Sequence, residues 1–361
     1  RHLHPYSSVS MSPFVEESRF PEPRNRQVSP RSVSLRMGLV GSSIVRLLPL
    51  TPRFVVRWVA NRYMAGETLD QAIGVMRGIG SQGACFTVDV LGEEISSLDE
   101  TRFFIREYEA VLDAIVEHEI DANISIKPTA FGLLIDLGAA LDNIEGIIRK
   151  ASEHEIFVRL DMEDSRVTQA TIDVALAMHS KGLTNVGVVL QGRLLRTPSD
   201  ISDISRVTGP ATDFRICKGA YLELADIAHT GYREIVDATN HAIDLMLDSG
   251  AYTAIASHDT PVIEHSLAAL ESRGMGPSKA DPRHSGDVVR SGGKGPGYEF
   301  QFLLGVRGDV RRKLSGQGHR TRIYVPYGTK WYEYSMRRLR ENPEVAMHIT
   351  KALLMPWTNR R

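Results

Sequence analysis

Seven side chains able to act as acids, bases or hydrogen-bond partners stand where short apolar runs end: Asp89, Lys127, Asp161, Gln191, Lys218, His258 and Tyr324. Taken singly, such a residue is ordinarily the chain returning to water. Taken together they read differently, because strand ends in a parallel β/α barrel converge on one mouth, where such folds gather catalytic groups.

A second constellation lies near the end of the chain. Tyr334, Arg337, Arg338 and Glu341 follow one another at spacings i, i+3, i+4 and i+7, which sets them on one stripe of a helix. Tyr332, Met336 and Leu339 fall on the opposite stripe and would supply its buried face. Two guanidinium forks beside an aromatic ring suit a small carboxylate, with Glu341 holding the forks in place. On spacing alone, a solvated helix with ordinary surface ion pairs fits equally well.

For these groups to meet, strands and helices must alternate, and from about residue 84 they do. The strand-like runs are Cys85 to Leu91, Ala122 to Pro128, Phe157 to Asp161, Val186 to Gln191, Phe214 to Lys218, Thr253 to His258, Phe300 to Leu304 and Arg322 to Val325. Helical periods separate them, as where Phe104, Ile105, Tyr108, Val111, Leu112 and Ile115 line one face. Near-continuous apolar strands, covered by helices outside and filled by side chains inside, predict an α/β fold: a single-domain (β/α)8 TIM-type barrel.

The sequence places that domain at 37–361, with a helical lead-in over about 37–83. Residues 1–36 are rich in Ser, Pro and Arg without an apolar period, and predict a disordered N-terminal extension. The stretch 274–297 is rich in Gly, Ser, Pro and charge, and is longer than a usual helix-to-strand link. It reads as an insertion, on a rim of the barrel that the sequence does not fix.

Bulk properties narrow the function. With 42% hydrophobic and 24% charged residues, the 361-residue chain has an ordinary globular composition. A net charge of -1 without a basic patch argues against nucleic acid. Cys85 and Cys217, the only cysteines, sit in strand-like runs and read as buried free thiols in a reducing compartment. The apolar stretch 38–59 is broken by Arg46, Pro49, Pro52, Arg53 and Arg57, so it does not read as a membrane-spanning helix. No metal site is expected.

The strings MAGETLDQAI, ISIKPTAFG, VRLDMEDS, VGVVLQ, FRICKGAY, ASHD, YEFQFLLGVR, RIYVPYGTKWYEY and YSMRRLREN run in order from Met64 to Asn342. On these the chain resembles the proline dehydrogenase family, in its single-function bacterial type. The resemblance implies oxidation of L-proline to 1-pyrroline-5-carboxylate, the first step of proline catabolism, with hydride passing to a non-covalent FAD. It implies Lys127, Arg337 and Arg338 on the substrate carboxylate, Tyr324 and Tyr334 walling the ring, and Glu341 offsetting the positive charge. Asp161 and Arg215 would form an electrostatic pair, the arginine stabilising negative charge as the flavin is reduced. For the cofactor it points to Met162, Gln191, Lys218, Gly219, Ala220, Ser257, His258 and Leu303. It further implies a quinone acceptor and a cytoplasmic protein making peripheral contact with the inner face of the cell membrane.

Two other readings stay open on sequence. Lys127 and Lys218, both at strand ends, could form a Schiff base in a lyase or aldolase, which borohydride trapping would reveal. A catalytically impaired barrel could instead serve as a binding protein, which bound flavin indifferent to proline would reveal.

Overall fold

A computed structural model describes residues 57, 60–283, 297–332 and 335. The expected extension 1–36, the lead-in up to residue 56, and residues 284–296 of the expected insertion lie outside the described residues.

Eight strands pair in chain order, all parallel, and the last closes against the first. They are β1 (Cys85–Val90), β2 (Ala122–Ile126), β3 (Val158–Leu160), β4 (Val186–Gln191), β5 (Asp213–Cys217), β6 (Tyr252–Ala256), β7 (Tyr298–Leu303) and β8 (Thr321–Tyr327). This is the (β/α)8 barrel expected, with every strand end within two residues of the sequence reading. Around it run α1 (Leu69–Gly80), α2 (Thr101–Glu117), α3 (Leu137–Glu153), α4 (Thr168–Ser180), α5 (Thr197–Thr208), α6 (Tyr232–Asp248), α7 (Thr260–Ser272) and α8 (Gly308–Gly316).

Local chemistry sets these limits. At α1 the Thr68 side chain accepts from the Gln71 amide while the Gln71 side chain accepts from the Thr68 amide, a reciprocal cap that satisfies otherwise orphaned donors. Asp136 caps α3 by accepting from the Ala139 amide at 2.9 Å. On α2 the stripe of Phe104, Tyr108, Val111, Leu112 and Ile115 is buried as the period requires. Tyr108 then ties helix to barrel, its hydroxyl donating to the Ser125 carbonyl at 2.6 Å and accepting from the Val90 amide at 3.1 Å.

The near-continuous apolar runs conceal a difference between the two faces. Because neighbouring side chains alternate between faces, each strand splits in two. Val88, Ile124, Val158, Phe214, Phe300 and Ile323 belong to the apolar core under the helices. Asp89, Ser125, Asp161, Arg215, Gln301 and Arg322 occupy alternate positions, and all are buried. Several of them bond across the barrel lumen to strands that are not neighbours. The hydrophobic core is therefore a shell between sheet and helices, and much of the lumen is a polar lattice.

At its amino-terminal side that lattice is tightly closed. Arg159 of β3 donates to the carboxylate of Asp213 on β5, and Arg159 Nη1 donates to the carbonyls of Val188 at 3.1 Å and Asp213 at 3.0 Å. Gly187 of the intervening β4 makes the crossing feasible: a β-carbon there would lie 2.4 Å from the Asp213 carbonyl oxygen and 2.7 Å from Arg159 Nη1.

The described ends of the 274–297 stretch lie at this same rim. Arg283 donates to the carbonyls of Leu247 at 2.9 Å and Ala251 at 3.1 Å, just before β6, and Gly297 leads directly into β7.

Candidate active site

Asp161, just beyond β3, is the hub of the opposite end. Its Oδ1 accepts from Ser125 Oγ at 2.5 Å and Arg215 Nη1 at 2.6 Å, and its Oδ2 accepts from the Tyr324 hydroxyl at 2.6 Å. Arg215 also donates through Nε to Gln301 Oε1 at 2.5 Å, and its guanidinium carbon lies 5.4 Å from the centre of the Tyr324 ring. Tyr324 lies inside β8 rather than at its end, so it reaches the hub from the lumen wall.

Lys127 follows β2 and donates to Asp89 Oδ1 at 2.5 Å, with only 7% of the lysine side chain exposed. Two buried carboxylates thus meet two buried cations, the arrangement that makes such burial tolerable. Burial pushes the Asp161 carboxyl up, but Arg215, then Lys127, then the Ser125 and Tyr324 hydroxyls outweigh it and hold Asp161 below the usual carboxylate range. Burial likewise works against the Lys127 ammonium, yet Asp89 and Asp161 more than restore it, and its pKa is raised. Lys127 therefore stays charged.

Buried atoms here without a hydrogen-bond partner among the described residues include Oδ2 of Asp89, the donor Nη2 of Arg215 and the acceptor Oε1 of Gln191. Gln191 is fixed from its other end, Nε2 donating to the Glu163 carbonyl at 2.8 Å. Gly219, at φ +101°, adjoins it, and a β-carbon there would stand 2.7 Å from Gln191 Oε1. A glycine is needed for both reasons. A buried donor and acceptor on neighbouring strands, beside a cradle without a side chain, fit a planar heterocycle with hydrogen-bonding edges.

Two further groups stand at the rim. Lys218 Nζ meets Asp259 Oδ2 at 2.6 Å, the Tyr232 hydroxyl donates to Asp259 Oδ1 at 2.9 Å, and Ser257 Oγ accepts from the Asp259 amide at 3.2 Å. His258 Nε2 accepts from the Leu303 amide at 2.9 Å. Glu163 is the outlier among the buried acids, since Thr129 supplies its hydrogen bonds, the hydroxyl at 2.6 Å and the amide at 3.3 Å. Burial pushes its carboxyl up to about 7. It lines a cavity of about 200 Å³ together with Thr129, Asp164, Arg166 and Tyr221.

The family described as Proline dehydrogenase matches residues 72–351. The chain belongs to the proline dehydrogenase family. It is 31% identical over 295 residues to proline dehydrogenase 1 of Bacillus subtilis subsp. natto, covering 82% of this chain and 90% of that one. To the proline dehydrogenase of Deinococcus radiodurans it is 29% identical over 300 residues, with coverage of 82% and 90%. Among solved structures, proline utilization A from Bdellovibrio bacteriovorus inactivated by N-propargylglycine superposes with a TM-score of 0.71 at 20% identity, over 83% of this chain. This chain spans only 36% of that longer protein, and the likeness is one of fold.

Of the residues singled out in this family member's sequence, Asp161, Arg215 and Tyr324 touch directly. Lys127 joins them through its charge. Gln191 adjoins Gly219, Lys218 and Ser257 share Asp259, and His258 is bonded to Leu303. Met162 is buried beside Asp161, Ala220 is exposed, and Leu303 is 40% exposed. Tyr334, Arg337, Arg338 and Glu341 lie outside the described residues. Cys85 is buried, whereas Cys217 is only half-buried, a correction to the expected pair of buried thiols.

Sequence reasoning missed Ser125, Glu163, Glu299, Gln301 and Arg322. For all but Glu163 the signal was available, since in ANISI, YEFQFL and TRIYVPY polar residues recur at every second position. A run scanned only for its apolar content hides that period.

Proposed function

We propose that the chain oxidises L-proline to 1-pyrroline-5-carboxylate, the first step of proline catabolism, with FAD held at the carboxyl end of the barrel. The observation that carries this reading is family membership coinciding with a buried Asp161, Arg215 and Tyr324 cluster that retains an unmatched guanidinium donor. Gln191, Gly219 and Arg215 would border the isoalloxazine with Met162 near it, while Lys218, Ala220, Ser257, His258 and Leu303 would hold the rest of the cofactor. When bound, the flavin supplies the two-electron acceptor that takes hydride from the ring carbon beside the proline nitrogen.

This chain's residues then have positioning and electrostatic tasks. Lys127, Arg337 and Arg338 bind the proline carboxylate, and Glu341 balances their charge. Tyr324 and Tyr334 enclose the ring and exclude water. Asp161, kept ionised by its donors, fixes both the Arg215 fork and the Tyr324 hydroxyl. Arg215 offers Nη2 to negative charge that develops during reaction, in a setting where such a donor is worth far more than in water.

Residues 37–361 act as one domain, preceded by the extension 1–36. A quinone receives the electrons during peripheral contact with the inner face of the cell membrane, and no helix among the described residues is long and apolar enough to cross a membrane. The Schiff-base reading is disfavoured by Lys127, since a nucleophilic lysine needs its pKa lowered and this one is raised.

Visible spectroscopy on the purified full-length protein, followed by L-proline without oxygen, tests the proposal. An oxidised-flavin band that bleaches with proline is expected. A colourless protein, or a band that proline leaves unchanged, contradicts it.

A further inference from the structure

Behind Arg215 the lumen holds a chain of buried groups to which the reaction as described gives no task. Gln301 of β7 accepts Arg215 Nε on Oε1 and donates from Nε2 to Glu299 Oε1, both at 2.5 Å. Glu299 also accepts from Arg322 Nε at 2.8 Å and from the Tyr252 hydroxyl at 3.0 Å. Arg322 is fixed in turn by the Phe86 carbonyl, which its Nη1 reaches at 2.6 Å. Gln301 is 4% exposed, Arg322 1% and Glu299 0%, so water does not compete for these bonds.

The chemistry of the ends dictates the orientation of the middle. A carboxylate accepts and never donates, and a guanidinium donates and never accepts. Between the two, the Gln301 amide has one satisfactory orientation, NH2 toward Glu299 and carbonyl toward Arg215. Turned over, it would set donor against donor and acceptor against acceptor. Arg215 is thereby held from two sides, Nε by Gln301 and Nη1 by Asp161 and Ser125, which leaves Nη2 as its donor without a partner among the described residues.

We infer that Gln301 is a positioning residue for the reaction, its amide locked by Glu299 so that Arg215 presents Nη2 to the reacting centre. The inference rests on the functional reading above. Gln301 touches neither substrate nor the reacting atoms, and it acts through Arg215. Losing the amide carbonyl frees Arg215 to pivot about its bond to Asp161, so stabilisation of negative charge weakens while the groups on the substrate carboxylate are untouched.

The test is Gln301→Met in the flavin-loaded full-length protein, with midpoint potential and proline kinetics measured beside thermal stability. Expected are a kcat about tenfold lower, an unchanged KM, and a bound-flavin midpoint potential shifted to a more negative value. If Gln301→Met does not fold, Gln301→Asn, too short to span both partners, should show the same negative shift. A folded, flavin-loaded Met or Asn variant with the wild-type potential overturns the inference. A wild-type protein that proline does not bleach defeats the functional reading instead, so the two failures are distinguishable.

Discussion

Strands β3 and β5 are joined twice by buried arginine–aspartate pairs, and the two differ in what surrounds them. At the amino-terminal level Arg159 spans to Asp213, and two backbone carbonyls take further bonds from its Nη1. Two residues further along each strand the polarity reverses, with Asp161 on the β3 side and Arg215 on β5. Here the surroundings are side chains, Ser125, Tyr324 and Gln301; each arginine keeps one nitrogen without a partner among the described residues, Nε in Arg159 and Nη2 in Arg215. The first pair is pinned by main chain that cannot turn away, so its role is to close the lumen. The second is framed by groups that set direction, and so suits chemistry.

Asp213→Asn should produce the largest effect and sharpen the contrast from the structural side. It leaves the Arg159 charge buried without its counter-charge, and breaking a buried pair in this way costs about 3–5 kcal/mol. Chemical denaturation should show a stability loss of that size, with kcat of the surviving folded fraction little changed. A stable variant that has lost its rate would reverse the roles of the two levels.

A smaller effect concerns Glu163, the buried acid outside both pairs. Its folded pKa of about 7 lies above the unfolded value of about 4.3. The folded state therefore binds this proton more tightly, and the stability gained is complete below about pH 4.3 and lost as pH rises to about 7. The span is at most about 4 kcal/mol. Glu163→Gln should flatten the stability profile across that window and be the more stable of the two proteins at pH 8. A profile identical to the wild type would show that the carboxyl titrates as if in water.

The smallest effect is expected at the rim. Gly219→Ala places a β-carbon 2.7 Å from Gln191 Oε1 at a positive φ. The strain is about 1–2 kcal/mol, and the larger consequence should be weaker flavin retention after gel filtration. Undiminished flavin content would show that Gly219 is a turn glycine and no part of a cradle.

Much of this molecule is legible in its sequence. Strand runs such as CFTVDV and VGVVLQ are short, β-rich and bounded by breaks, and a closed barrel is the solution that covers eight of them in series. The Asp161, Arg215 and Tyr324 set was legible through resemblance, because the spacing between β3, β5 and β8 reveals contact only once closure is assumed. The lumen was legible only as a period of alternating polar residues, without its partners. Whether Gln301 of YEFQFL faces solvent, helix or lumen depends on register, and the Glu299 to Arg322 bond joins strands whose pairing is set by the whole ring. Glu163 was hidden for another reason, since its raised pKa comes from burial, which no local pattern announces.

The contrast between the two levels is tested most directly by rapid mixing of L-proline with the flavin-loaded Arg215→Lys variant in the absence of oxygen. Lysine keeps the charge but cannot bond Asp161 and Gln301 while still offering a third donor in the same plane. Flavin reduction about a hundredfold slower than in the wild type, in a protein that keeps its fold and its flavin, is the expected result. Reduction at the wild-type rate would contradict the claim that the directed guanidinium, rather than its charge alone, does the work at this end of the barrel.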